Sequence, residues 1–268
     1  MEALQQLAAW PASTATAGVV RPGGVVDAVG PRETVLRWAS VTKPLAGLAI
    51  LVALEEGIVE LDQPLGPPGA TLRHLLAHAS GLPLNEREPV APPERRRIYS
   101  NSGIELAAEA VAAAAEMPFA TYLEAAVLEP LGLRGRLTGS AAWSYRGSLD
   151  DLLRLGRELL EPTLLAAETL REATTVQFPG LRGIVPGFGR QEPNDWGLTF
   201  ELRDGKTPHW TGAANSPGTF GHFGASGSFL WVDPALGAAC AVLTDLEFGD
   251  WAKQAWPRLA DAVVAELG

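Results

Sequence analysis

The sequence predicts an α+β protein: an antiparallel sheet flanked by helices, with an all-helical lobe inserted between its strands. Three observations predict it. Residues 16–20 and 24–30 are short β-like runs split by the turn cluster Arg21-Pro22-Gly23-Gly24. From about residue 61 to 175 apolar residues recur at helical spacing. After about residue 176 glycine, proline and aromatic residues rise and alternation replaces the helical period. One catalytic unit over residues 1–268 is expected. Its α/β lobe takes about residues 1–60 and 176–268, and its helical lobe about 61–175. A cleft between such lobes is a common place for a small molecule.

Taken in order, the two N-terminal runs read as a hairpin. An apolar run from Trp38 to Gly57 follows. Its stretch Leu45-Ala46-Gly47-Leu48-Ala49-Ile50-Leu51-Val52-Ala53-Leu54 is hydrophobic nearly all round, which describes a helix buried in a domain centre. Pro44 fits only near the start of that helix and disfavours helical geometry at Lys43, so strain is expected there. Thr71 opens a second helix, with Leu72, Leu75 and Leu76 on one face, ending at Ser80-Gly81-Leu82-Pro83. Residues 85–97 are polar, proline-rich and charged, and read as a loop whose closing Arg95-Arg96-Arg97 is solvated. Helices are expected over residues 104–116, 119–128 and 164–173. Another runs to Leu160, capped by Ser148-Leu149-Asp150-Asp151. Residues 196–202, 229–232 and 238–243 read as strands, and residues 251–267 as a closing amphipathic helix.

The bulk composition excludes several functions. Hydrophobic residues make up 47% of 268, so a sizeable core is expected. A net charge of -10 argues against nucleic acid and anionic membranes as partners. The single cysteine, Cys240, allows no intramolecular disulfide and no cysteine-based metal site, and reads as a small buried hydrophobe. No cofactor is expected. The N-terminus lacks a basic segment followed by an apolar one, and no apolar run spans a bilayer, so a cytoplasmic protein is expected.

Ser40 and Lys43 lie three residues apart at the mouth of the central helix, one turn apart on one face. A serine hydroxyl needs a base within hydrogen-bond reach to become a nucleophile. A lysine amine serves if burial and the helix N-terminus lower its pKa. Of 21 basic residues only Lys43, Lys206 and Lys253 are lysine. A chain so poor in lysine that puts one beside a buried helix has a use for a titratable amine, which arginine cannot supply. Two further stretches join this pair: Tyr99-Ser100-Asn101, where a polar loop meets a helix, and Gly221-His222-Phe223-Gly224-Ala225-Ser226-Gly227 before a late strand.

Together these resemble the serine β-lactamase and penicillin-binding protein superfamily, in particular the class C β-lactamase branch with its esterases and D-amino peptidases. Its three motifs, Ser-x-x-Lys, Tyr-x-Asn and Lys/His-x-Gly, occur here in that order. His74-Leu75-Leu76-Ala77-His78-Ala79-Ser80-Gly81-Leu82, Glu129-Pro130-Leu131-Gly132-Leu133 and Leu230-Trp231-Val232-Asp233-Pro234 are similar to flanking segments of that family. The resemblance implies a β-lactamase/transpeptidase-like fold and an acyl-enzyme on Ser40, with Lys43 and Tyr99 relaying the proton. It implies a Tyr99 phenol depressed by nearby cations, Lys43 among them. It also implies that Asn101 bonds a substrate carbonyl or amide and that Gly224 lets substrate approach the strand edge; from its position Asn101 also reads as the N-cap of the helix from Ile104. The Ser40 and Ala225 N–H groups would form an oxyanion hole. His222 stands where lysine is more usual and would carry charge only near or below neutral pH.

The substrate class implied is a small ester, amide or β-lactam. A β-lactamase or D-amino peptidase, and a binding protein that kept the fold without turnover, are the alternatives. His74 and His78 read as structural. Lys206-Thr207-Pro208 mimics Lys-Thr-Gly but is broken by Pro208, and no Gly-x-Ser-x-Gly elbow occurs. Trp196 and Trp210 read as core, with lining of the acyl pocket as the alternative, and residues 188–195 and 210–216 are expected to border the cleft.

Overall fold

The helix α1 (Thr42–Glu55) is the axis of the molecule. Every residue from Thr42 to Leu51 is buried, as the apolar run from Pro44 onward requires, and Thr42 and Lys43 are buried with it. Pro44 sits in its first turn, and Lys43 remains helical before it. The positive backbone φ falls instead on Ala39, at 45°. The computed structural model describes residues 1–268.

Strands are β1 (Ala15–Arg21), β2 (Gly24–Val29), β3 (Leu36–Arg37), β4 (Arg136–Leu137), β5 (Tyr145–Gly147), β6 (Gly183–Val185), β7 (Gly189–Gln191), β8 (Glu201–Leu202), β9 (Phe220–Gly224), β10 (Ser228–Asp233) and β11 (Ala238–Thr244). The main sheet is wholly antiparallel in the order β2-β1-β11-β10-β9-β8. The other helices are α2 (Leu72–Leu76), α3 (Asn101–Ala114), α4 (Phe119–Leu123), α5 (Glu129–Leu131), α6 (Leu149–Leu160), α7 (Ala167–Ala173) and α8 (Asp250–Leu267), with a π-helical turn, Glu124–Leu128, joining α4 to α5. No single helix is long and apolar enough to cross a membrane.

The two-residue period of the central strands divides the apolar residues into two cores. Phe229, Trp231, Cys240 and Val242 face α8, where Ala252, Trp256, Leu259 and Val263 meet them. Leu230, Val232, Ala239 and Ala241 face the other way, into the larger core around α1. Cys240 is thus a buried hydrophobe, and burial pushes its thiol pKa up.

Several boundaries differ from expectation. The helix α6 falls within the residues expected to form the helical lobe, yet it packs on the sheet. A Cβ at Gly156 would lie 3.1 Å from Leu230 and 3.2 Å from Ala239. The strand expected over residues 196–202 shrinks to Glu201–Leu202, because Thr199 takes a φ of 66° and breaks the extension. The second helix stops at Leu76, two residues before His78 with its φ of 55°. Arg97, expected in solvent, is buried. Its guanidinium donates to the carbonyls of Ala77 (2.6 Å), Gln177 (2.8 Å), Phe178 (3.0 Å) and Asn194 (3.1 Å). Burial lowers its pKa to about 10.

Candidate active site

Ser40 lies in a 3-10 turn, Ala39–Val41, that leads into α1. The turn is pinned from behind. Ser228 Oγ donates to the Trp38 carbonyl (2.8 Å), Ser226 Oγ to the Arg37 carbonyl (2.7 Å), and the Trp38 ring packs 4.5 Å from Tyr145. The left-handed Ala39 beside it is strain of about 1–3 kcal/mol, held by that packing.

Lys43 is fully buried one helical turn on. Its Nζ lies 3.3 Å from Ser40 Oγ, 2.6 Å from Asn101 Oδ1 and 3.0 Å from the Ala142 carbonyl, and 4.6 Å above the centre of the Tyr99 ring. Burial holds its pKa well below the usual lysine value, with Glu105 the opposing influence.

Tyr99 differs from expectation. Burial raises its phenol pKa, and only the Ser40 hydroxyl beside it works the other way. The expected depression by Lys43 does not arise, because burial outweighs every other influence on the phenol and Lys43 is not among those that lower it. Three rings enclose the phenol: His78 at 4.8 Å, His222 at 5.7 Å and Trp196 at 5.8 Å between centroids.

Asn101 begins α3, but the cap is Ser100, whose Oγ accepts from the Gly103 N–H at 3.0 Å. Asn101 was expected to meet substrate or to cap. Its Oδ1 is spent on Lys43, and its Nδ2 donates to Asn85 Oδ1 at 2.8 Å.

His222 lies within β9. Its Nδ1 donates to the Phe223 carbonyl at 2.6 Å, and its Nε2 is buried without a partner. Burial first, then Lys43, lowers its pKa to about 3. The charge expected near neutral pH is therefore absent. Gly224 has another reason to be glycine than substrate approach. A Cβ there would stand 2.4 Å from the Trp38 carbonyl, so the missing side chain lets β9 press against the turn carrying Ser40. The strand β8 pairs only with Phe220 and Gly221, so the rest of that β9 edge has no neighbouring strand.

Ser40, Tyr99, Asn101, His222 and Ala225 line one cavity of about 680 Å³. Lys43 and Gly224 stand directly behind its wall. Trp196, Val185, Pro186 and Phe248 also line it, whereas residues 188–195 and 210–216, expected at its border, do not. Trp210 is core, as expected.

Sequence reasoning missed two neighbours. His78 receives the Ser100 N–H on Nδ1 at 3.2 Å and backs Tyr99. Glu201 lines the cavity and holds a buried network. Its carboxylate accepts from Lys206 Nζ (2.5 Å) and Trp210 Nε1 (2.7 Å) and lies 2.7 Å from His209 Nε2. Thus Lys206, the mimic of the third motif, is a structural ion-pair partner. His74 is structural too, between Thr71 and Glu94.

The Beta-lactamase family model matches residues 8–265. A crystal structure of a beta-lactamase (Mb2281c) from Mycobacterium bovis is 50% identical, with a TM-score of 0.98 and 99% of each chain covered. The D-alanyl-D-alanine-carboxypeptidase/endopeptidase AmpH of Escherichia coli (strain K12) is 30% identical over 155 residues, which span 44% of this chain and 40% of that protein's length. EstCE1, a hydrolase with promiscuous acyltransferase activity, has the same fold at 18% identity, with a TM-score of 0.78 over 98% of this chain and 97% of its own. With its family motifs gathered on one cavity and a family match running nearly end to end, the chain belongs to the beta-lactamase family.

Proposed function

We propose that the protein hydrolyses small esters or amides through an acyl-enzyme on Ser40. The observation that carries this is the set of contacts around Lys43. A neutral amine has two hydrogens and one lone pair. Asn101 Oδ1 and the Ala142 carbonyl take the hydrogens, which leaves the lone pair for the Ser40 hydroxyl at 3.3 Å. Ser40 Oγ then attacks the acyl carbon while its proton passes to Lys43. The tetrahedral oxyanion would be met by the Ser40 and Ala225 N–H groups, donors that typically contribute about 3 kcal/mol each. Tyr99 acts as a neutral acid: it protonates the leaving atom and regains a proton from Lys43. Water reverses the sequence on the acyl-enzyme.

Hydrolysis of small esters or amides is the reading put first; at the third motif itself His222 offers no positive charge for a carboxylate. The 50% identical Mycobacterium bovis protein, named a beta-lactamase, favours the other reading. Turnover of nitrocefin above that of p-nitrophenyl acetate would establish it.

The deciding measurement is mass-spectrometric labelling with a fluorophosphonate, alongside hydrolysis of p-nitrophenyl acetate. Labelling of Ser40, with activity lost in Ser40→Ala, is expected. A labelled Ser40→Ala variant would exclude the mechanism. Tyr99→Phe should lower kcat by about 10²–10⁴-fold, as loss of a general acid does.

A further inference from the structure

Beside the active-site cavity lies a second one, of about 620 Å³, which shares Leu84, Tyr99 and Pro186 with it. Four arginines line this annex, Arg96, Arg97, Arg182 and Arg190, and no aspartate or glutamate does. Composition does not explain that, since acids outnumber bases 31 to 21 over the chain. The arginines are also not dispersed. The Arg97 N–H donates to the Arg182 carbonyl at 2.9 Å, and Arg97 bridges Gly183 in parallel register, which brings the segments carrying Arg96 and Arg182 side by side. Arg97 spends its guanidinium on backbone carbonyls, and Arg190 is paired with Glu192 at 2.7 Å. Arg96 and Arg182 have no carboxylate within 4.0 Å. Both are exposed cations on adjacent segments, and so are free to meet an anion entering the annex.

We propose that this annex is a subsite for an anionic group on the leaving-group side of the substrate, held by Arg96 and Arg182. The side rests on the function proposed above. There Tyr99 protonates the leaving atom, so the departing group lies over the Tyr99 ring, and its far end passes between Leu84 and Pro186 into the annex. Guanidinium forks match carboxylate and phosphate oxygens, so the substrate class is an ester or amide whose alcohol or amine portion bears such a group. His222 cannot fill this role, because it is neutral and lies on β9. The annex thus supplies the positive charge that the third motif lacks here.

The test uses a matched pair, 3-(4-acetoxyphenyl)propanoate and its carboxamide, which share an acyl group and a phenol. We expect the parent enzyme to favour the carboxylate in kcat/KM. The ratio of the two substrates should fall about ten-fold in the Arg96→Ala/Arg182→Ala variant, as expected of two charge pairs. Reading the ratio cancels any general effect on folding or chemistry. Arg96→Lys/Arg182→Lys should keep part of the preference, and added salt should erode it in the parent. A parent ratio near one, or a preference that survives in the alanine variant, overturns the proposal. So does an arginine-dependent preference confined to an acyl-side anion, read with mono-p-nitrophenyl glutarate. Hydrolysis of both substrates by Ser40→Ala would instead sink the acyl-enzyme reading.

Discussion

At the scale of single residues, the proposed reaction depends on a lysine kept uncharged. Lys43 must be deprotonated to accept the Ser40 proton, and burial places its folded pKa well below 10.5. Activity therefore rises with pH through that lowered value and is lost as pH falls through it. Burial and Lys43 lower the His222 pKa to about 3, and burial raises that of the Tyr99 phenol, so neither is assigned to that limb. The kcat/KM profile for a neutral ester should thus show one acidic limb, assigned to Lys43. Lys43→Arg should be inactive, because guanidinium does not deprotonate. His222→Gln should leave the limb midpoint within about half a pH unit, whatever it does to the rate. A larger displacement would mean that histidine, and not lysine, sets the limb.

At the scale of elements, the site is a contact between the turn before α1 and the strand β9. Gly224 is where they touch, so Gly224→Ala should push β9 off the Trp38 carbonyl and misplace Ala225 relative to Ser40. A loss of about 100-fold in kcat/KM is expected, with far-ultraviolet circular dichroism unchanged, since small displacements of reacting groups cost that much. Ser40 and Lys43 were legible because their spacing of three is a local helical property. The buried α1 and the strands β10 and β11 were legible because unbroken apolar runs admit few other fates. What stayed hidden was non-local. Arg97 looks solvated beside Arg95 and Arg96 until the carbonyls of residues 77, 177, 178 and 194 converge on it. Residues 196–202 read as one strand, but Trp196 turns in to face Tyr99 and Thr199 adopts a positive φ. Arg97→Ala removes the clamp on those carbonyls and should cost about 3–5 kcal/mol, read as a urea midpoint shift at constant slope.

Across the whole molecule, one buried ion cluster ties the segment carrying Trp196 to the sheet. Lys206 Nζ donates to the carbonyls of Asp195 (2.6 Å) and Leu202 as well as to Glu201, and His209 and Trp210 close the carboxylate's other side. Burial alone would raise the Glu201 pKa, but His209 and Lys206 outweigh it and hold it at about 2, against an ordinary 4.5. For a carboxylate with a lowered folded pKa, the stabilisation is fully present above the unfolded value and lost as pH falls through the folded one. Stability should therefore decline from about pH 4.5 to about pH 2, by on the order of 3 kcal/mol from this group alone. Glu201→Gln leaves Lys206 buried without its counter-charge and should be less stable than the parent at pH 7 by about 3–5 kcal/mol. Urea unfolding at pH 7, 5 and 3 should show that gap narrowing as the parent's own carboxylate is protonated. Adding Lys206→Met to Glu201→Gln should recover part of the loss, because the uncompensated charge goes with the lysine. Parallel stability curves for parent and Glu201→Gln across that pH range would show that the cluster does not govern the acid limit of the fold.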